Sequence, residues 1–339
     1  MKKSLISALI ILTLLLAATP HFLGFSLWHL GHAIQVASSL SAKLACSAKF
    51  ISKLEPDQIS KDLSSYSPAA NLVTLKYFEE SKRVEASFLG LSNATAVFNN
   101  STGCYLVYPD VEKLEINESH KFLTAKNKNW PEGKQLKYVD LTVQAEVNQV
   151  IRKDNESGLD TRALLVVYDG ELVAEAYGKG FDANTPLLGW SMAKSLTSII
   201  IGRLEKLGKV STNKTNLFEE WQDDRQHISL NNLLQMTSGL DFDETYAPGS
   251  DATHMLFTAP SASEVALKSQ ITSKQGEYFS YSSGTTNLLT RYIHQTQEND
   301  VNNTLTFLKD EIFRPLSMDS IVFETDATGV LVGSSYIYA

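Results

Sequence analysis

The chain has 339 residues, 43% hydrophobic and 20% charged, the composition of a globular protein long enough to bury a core without metals or disulfides. With 30 Lys and Arg against 38 Asp and Glu, the net charge of −8 argues against a nucleic-acid-binding surface. The two cysteines cannot build a thiolate zinc site and none of the seven histidines forms H-E-x-x-H, so no metal and no other cofactor is expected.

In chain order, the first element is apolar. Lys2 and Lys3 precede a hydrophobic run that is interrupted at Thr19-Pro20-His21 and resumes to Trp28. Leu5–Trp28 is long enough to span a bilayer. Positive charge before it, and none after it until Lys43, places the N-terminus inside and the remainder outside. The expectation is a membrane anchor over residues 1–30, with the rest on the periplasmic or extracellular side. A cleaved signal peptide is the alternative, although Leu16-Ala17-Ala18-Thr19 matches a cleavage site poorly. In such a compartment Cys46 and Cys104 form a disulfide if the fold brings them together; two unrelated buried thiols is the other reading.

Residues 31–135 read as an N-terminal extension of mixed structure. Phe50–Leu63 has helical character, and Leu72–Tyr77, Val84–Phe88, Ala94–Phe98 and Cys104–Tyr108 have strand character. Asn127–Lys134, with Pro131 and Gly133, reads as a linker into a second domain over 136–339. That domain opens with a helix at Leu141–Val150. A hairpin follows: Ala163–Tyr168 and Glu171–Tyr177 flank Asp169-Gly170, a pair that tolerates the positive φ of a tight turn. From Ser191 the apolar period becomes helical, with Met192, Leu196, Ile199, Ile200, Leu204 and Leu207 on one face and Gly208 as the stop. Ser229 caps a helix at Leu230–Met236, Asn287–Gln297 and Val301–Phe313 read as helices, and Val322-Phe323 as a strand.

The chemistry centres on Ser191-Met-Ala-Lys194 at the start of a helix. A serine hydroxyl needs a base, and a lysine three residues on shares its helical face. The N–H of a serine at a helix N-terminus is also placed to meet a developing oxyanion. The spacing alone is unspecific: the chain repeats it at Ser211-Thr-Asn-Lys214, in a polar stretch after the helix has ended. The bland reading of Ser191 is a helix cap beside a solvated lysine. Tyr281, in Glu277-Tyr-Phe-Ser-Tyr-Ser-Ser-Gly284, is a phenol that a neighbouring lysine would make a proton carrier; its bland reading is a core tyrosine beside Tyr278 and Phe279. The acidic run Asp241-Phe-Asp-Glu244, with Tyr246, could line a pocket but reads more simply as a solvated loop.

Taken together, Ser191-Met-Ala-Lys194, Leu233-Leu-Gln-Met-Thr-Ser-Gly-Leu240 and Phe279-Ser-Tyr-Ser-Ser-Gly284 resemble the beta-lactamase-related serine hydrolases. That group includes class C beta-lactamases, DD-peptidases and 6-aminohexanoate-dimer hydrolases. The resemblance runs from about Leu141 to Ala339. It implies an α+β, penicillin-binding-protein-like fold: an antiparallel sheet flanked by helices plus a helical subdomain, here with the N-terminal membrane helix. It implies Ser191 as nucleophile, Lys194 and Tyr281 as its proton partners, and Ser283 as a substrate-binding residue. Ser283 stands where the tyrosine motif often carries Asn, which favours an esterase or amidase over a true beta-lactamase. The third motif of the group, Lys-Thr-Gly or His-x-Gly on a strand, is expected beyond Ala339. A chain without it is expected to be inactive, and the full-length protein to hydrolyse a small ester or amide. The competing reading is a non-catalytic, membrane-tethered envelope binding protein on the same fold. A Ser-His-Asp α/β-hydrolase is disfavoured because Gly189-Trp-Ser-Met-Ala193 lacks the final Gly of G-x-S-x-G.

Overall fold

The computed structural model describes residues 26–117, 129–131, 133, 138–318 and 320–339. Most of the anchor expected over 1–30 and half of the linker at 127–134 lie outside the described residues. No described helix is long and apolar enough to cross a membrane.

Helix α1 (Leu30–Phe50) is the centre of the N-terminal half. Between Ala37 and Ser47 every residue except Leu40 is buried. A helix enclosed on all sides needs no apolar stripe. Alanine and serine suffice because they let neighbouring backbones approach, and two of the serines bond within the helix: Ser38 Oγ donates to the Gln35 carbonyl at 3.0 Å and Ser47 Oγ to the Lys43 carbonyl at 3.2 Å. On one side lies an antiparallel sheet of β1 (Val73–Phe78), β2 (Arg83–Phe88), β3 (Ser92–Asn99) and β4 (Gly103–Leu106), in that order. Val84, Ala86 and Ala96 point from it onto Ala42, Leu44 and Ala45 of the helix. The same core takes in Met255, Leu256 and Phe257 of a helix from the second half, with Val332 and Tyr336. The helix expected at Phe50–Leu63 is two elements. Phe50 ends α1, and α2 (Pro56–Tyr66) begins afresh with proline in its first turn, after Lys53 takes a positive φ of 59°.

Two links fasten α1 in place. Cys46 and Cys104 are disulfide-bonded, tying it to β4 with 6.0 Å between their Cα atoms. Of the two readings open at the sequence level, the paired one holds. The second link is ionic. Lys43, 2% exposed, pairs with the fully buried Glu324, while its ammonium also lies 4.0 Å from the centre of the Tyr336 ring. Glu324 also accepts from Ser47 Oγ (2.8 Å) and the Cys104 N–H (2.6 Å), so the buried carboxylate has no idle oxygen. Burial pushes the Lys43 pKa down, against the pull of Glu324.

In the second half, α3 (Leu141–Glu156) starts at Asp140, whose carboxylate accepts the Thr142 and Val143 N–H groups. It continues past Val150 because the polar residues that follow face solvent. Val147 and Ile151 pack on Ala174 and Ala176 of the expected hairpin, β5 (Ala163–Tyr168) and β6 (Glu171–Tyr177). Asp169 and Gly170 both have positive φ (49° and 77°), as the tight turn requires. The main core lies between α4 (Met192–Lys206) and α8 (Ser283–Thr296), with Trp221, Leu230, Leu233 and Leu308. Between them run the short helices α5 (Leu230–Leu234), α6 (Asp251–Phe257) and α7 (Ala262–Leu267); α9 (Val301–Leu308) follows α8 and ends in a wider turn over Lys309–Phe313. Strands β7 (Val322–Phe323) and β8 (Ile337–Tyr338) pair antiparallel. The strands of the described residues thus form three separate antiparallel sheets instead of one.

The expected inner face of α4 is rotated. Met192, Ile199 and Leu207 are exposed, and Ala193, Leu196, Thr197, Ile200, Ile201 and Leu204 are buried. Both sets repeat at helical spacing. Thr197 explains the choice: its fully buried hydroxyl lies 3.0 Å from the Ala193 carbonyl and 3.2 Å from the Gly333 carbonyl.

Replacing Lys43 by Met leaves Glu324 charged and unpaired in the interior, and is expected to cost about 3–5 kcal/mol. Adding Glu324→Leu should recover most of it. The urea unfolding midpoint of both variants checks this, and an unchanged midpoint for Lys43→Met would contradict the role given to the pair.

Candidate active site

The approach to Ser191 is held by backbone. Gly189 N–H donates to the Ile337 carbonyl (2.8 Å) and Leu187 N–H to the Ala339 carbonyl (2.9 Å), so residues 187–189 lie alongside β8. Trp190 then turns the chain with a φ of 43°, an uncommon conformation for a bulky side chain. Aromatic packing holds it there. Its ring meets Tyr66 of α2 edge-on at 5.7 Å and Tyr336 at 6.0 Å, and its Nε1–H donates to the Tyr66 hydroxyl at 3.3 Å. Ser191 follows at the N-cap of α4, already in helical conformation and with no side-chain cap bond. The hydroxyl of Ser191 is therefore not spent on the helix, which removes the bland reading of this residue.

The hydroxyl meets two partners instead. Lys194 Nζ lies 3.2 Å from Ser191 Oγ, and the Tyr281 hydroxyl donates to Ser191 Oγ at 2.8 Å. Lys194 Nζ also sits 4.8 Å from the centre of the Tyr281 ring. Tyr281 is not a core residue: it is 44% exposed, and Tyr278 and Phe279 beside it are more exposed still. The chain reaches it from a stretch pinned by a bond from Ser280 N–H to the Met236 carbonyl (2.9 Å). Ser282 then caps α8, accepting the Thr285 N–H at 3.1 Å. The repeat at Ser211–Lys214 lies instead in an exposed turn, its hydroxyl accepting the Asn213 N–H.

Lys194 has two further acceptors: Ser283 Oγ at 3.1 Å and the Ser334 carbonyl at 2.9 Å. Ser334 is held by the buried Asn287, whose Oδ1 accepts the Ser334 N–H (3.2 Å) and whose Nδ2 donates to Ser334 Oγ (3.1 Å). Ser283 was expected to face substrate. It is fully buried, and its hydroxyl faces Lys194 on one side and Glu244 on the other. Glu244 accepts both the Ser283 N–H (2.7 Å) and the Ser283 hydroxyl (2.5 Å), while the Tyr246 hydroxyl lies 3.4 Å from it. Desolvation of that phenol, with the Glu244 carboxylate adding to it, pushes the Tyr246 pKa up.

The structure thus brings Ser191, Lys194, Tyr281 and Ser283 together and adds Glu244, Asn287 and Ser334. Asn287 was within reach of sequence reasoning, one helical turn after Ser283 in the same motif. Glu244 carried only the signal of an acidic loop, and Ser334 contributes a carbonyl, which every residue has. Among the described residues, no group of His, Cys, Asp and Glu is disposed to hold a metal ion. A serine whose hydroxyl is shared by an amine and a phenol can lose its proton to either as it attacks an electrophilic carbon.

The beta-lactamase family model matches residues 147–336, more than half of the chain and all of this constellation. Among solved structures, the chain is similar to a Bacillus anthracis protein described as a 6-aminohexanoate-dimer hydrolase (21% identity, 55% of this chain and 53% of that one, TM-score 0.48). It is also similar to FmtA from Staphylococcus aureus (19% identity, 63% and 65%, TM-score 0.44) and to a class C beta-lactamase (12% identity, 58% and 62%, TM-score 0.43). The chain spans between half and two thirds of the length of these structures. No curated protein matches it. The family and the mixed helix and sheet content agree with the beta-lactamase and penicillin-binding-protein fold class.

Gly333 passes close beneath the site: a Cβ there would lie 2.3 Å from Thr290 Cγ2 and 2.6 Å from Thr197 Oγ1. Gly333→Ala is expected to force the Ser334 segment away from α4 and to cost about 1–3 kcal/mol. A urea unfolding curve checks it; an unshifted midpoint would show that the close approach is dispensable.

Proposed function

The chain belongs to the beta-lactamase family, and on that premise we propose that the full-length protein is a serine hydrolase acting on a small ester or amide through an acyl-enzyme. Ser191 Oγ bonds to the substrate carbonyl carbon and gives its proton to the Lys194–Tyr281 pair. The pair passes the proton to the leaving oxygen or nitrogen as that bond breaks. Water then cleaves the acyl-enzyme by the reverse proton path, and Ser191 is restored. The Ser191 N–H, at the positive end of α4 and without an acceptor among the described residues, is placed to donate to the carbonyl oxygen as it becomes negative. The observation that carries this reading is the double contact on Ser191 Oγ by Lys194 and Tyr281, on a hydroxyl that does no capping. Ser283 in place of the usual Asn favours an esterase or amidase within the family.

The proposal includes placement outside the cytoplasm, tethered by the apolar segment Leu5–Trp28. The Cys46–Cys104 disulfide supports it, since such a bond persists in an oxidising compartment.

A fluorophosphonate tests the nucleophile without requiring the substrate to be known. Ser191 is expected to be labelled, Ser191→Ala not at all, and Lys194→Ala about 10²–10⁴-fold more slowly. Peptide mapping by mass spectrometry identifies the labelled residue. An unlabelled wild type, or label retained in Ser191→Ala, would overturn the assignment and leave a binding protein on a hydrolase fold.

A further inference from the structure

We propose that Glu244 is a positioning residue that acts through Ser283 to fix the direction in which Lys194 exchanges its proton. This rests on the reading of Ser191, Lys194 and Tyr281 as a hydrolytic centre and adds to it a residue outside the serine, lysine and tyrosine motifs.

The hydrogens around Lys194 set that direction. An ammonium has three to donate, and Nζ has three oxygens in range: Ser191 Oγ, Ser283 Oγ and the Ser334 carbonyl. A carbonyl only accepts. A serine hydroxyl can do either, so by itself Ser283 could accept from Lys194 or donate to it. Glu244 removes the choice. Its ionised carboxylate only accepts, and both of its oxygens are turned on Ser283, Oε2 toward the N–H and Oε1 toward the hydroxyl. The single proton of the Ser283 hydroxyl is committed to Oε1, at 2.5 Å, and only lone pairs face Lys194. Two of the three oxygens around Nζ therefore never offer a proton back.

The consequence concerns the neutral amine. With two hydrogens left, Lys194 gives them to the two oxygens that can only accept. Its lone pair is left facing the third oxygen, Ser191 Oγ, the only one of the three whose own hydrogen is free to be taken. Of the three oxygens around Nζ, Ser191 Oγ is then the one from which Lys194 can take a proton. Without the carboxylate, the Ser283 hydroxyl is free to rotate and donate to the amine, competing with Ser191 for the lone pair. Glu244 also has a plain structural use, since a carboxylate on the first N–H of a 14-residue helix favours that helix. The test has to separate the two roles.

Gln at 244 has nearly the same shape and keeps one acceptor. If its oxygen takes the Ser283 N–H, its amide N–H₂ faces Ser283 Oγ and turns the hydroxyl proton toward Lys194. The measurement is the rate of fluorophosphonate labelling at Ser191, resolved into reversible binding and covalent step, for wild type, E244Q, S283A and E244Q/S283A. The covalent step of E244Q is expected to fall by about 10–100-fold with reversible binding unchanged. In the S283A background, where no hydroxyl competes, E244Q is expected to cause no further fall. Loss of the helix contact alone would slow labelling by the same factor in both backgrounds, so the cycle also guards against a variant that is merely less stable. The proposal is overturned if E244Q labels at the wild-type rate or if the two substitutions multiply. A wild type that is not labelled at Ser191 removes the hydrolytic centre itself and this inference with it, an outcome distinct from either of those.

Discussion

One amine holds the site together. Lys194 Nζ reaches Ser191 on α4, Ser283 on α8 and the Ser334 carbonyl on the segment leading into β8. A partly buried amine without acceptors is costly, so these contacts are a condition of placing the lysine there at all. Each contact comes from a different stretch of chain, and the bond to Ser334 fixes where the last described segment lies against the helix that carries Ser191. Tyr281 completes the arrangement, touching Ser191 Oγ with its hydroxyl and Lys194 with its ring face.

The far side of that last segment is secured by the N-terminal half. Glu324 begins the return toward Ser334, and it is tied to Lys43 and Ser47 of α1 and to the backbone of β4. Tyr336 closes the segment, lying against Lys43 on one side and Trp190 on the other. A buried ion pair adds little net stability compared with apolar packing, but once one partner is present the other is obligatory. Pairing Lys43 with Glu324 therefore selects one register for residues 322–338 against α1. The disulfide holds α1 and β4 in the position from which they make that selection. The contacts run without a break from the Cys46–Cys104 bond to the turn before Ser191.

Much of the second half was legible in the sequence because its signals are local. The Asp169-Gly170 hairpin, the helix opening at Ser191 and the Ser–Lys spacing depend on neighbours within a few residues, and each is where the pattern placed it. Tyr281 was found through its motif, and the 90-residue separation from Ser191 closes to a 2.8 Å contact. What escaped is tertiary. Helix α1 has no apolar stripe because its small residues from Ala37 to Ser47 are enclosed on all sides. The inner face of α4 lies about one position from the one its apolar pattern suggests, because two apolar stripes share that helix and the buried one carries the Thr197–Gly333 contact. Cys46 and Cys104 could be paired only by the fold. Glu244 looked like one member of a solvated acidic loop. The Asp243 carboxylate beside it does behave that way, accepting from the Thr245 N–H and hydroxyl within the loop. The hydroxyl of Ser283 meets Lys194 and Glu244, contacts that its motif does not announce.

The central claim is that Ser191 becomes covalently acylated by a substrate with Lys194 and Tyr281 as its proton partners. Its most direct test is trapping that intermediate: the protein is mixed with an activated acetate ester, quenched in acid within the first turnover, and digested for peptide mass mapping. The account predicts one acetyl group on the peptide carrying Ser191, decaying with time before the quench. An acetyl group confined to other peptides, or none on Ser191 at any time, would contradict it.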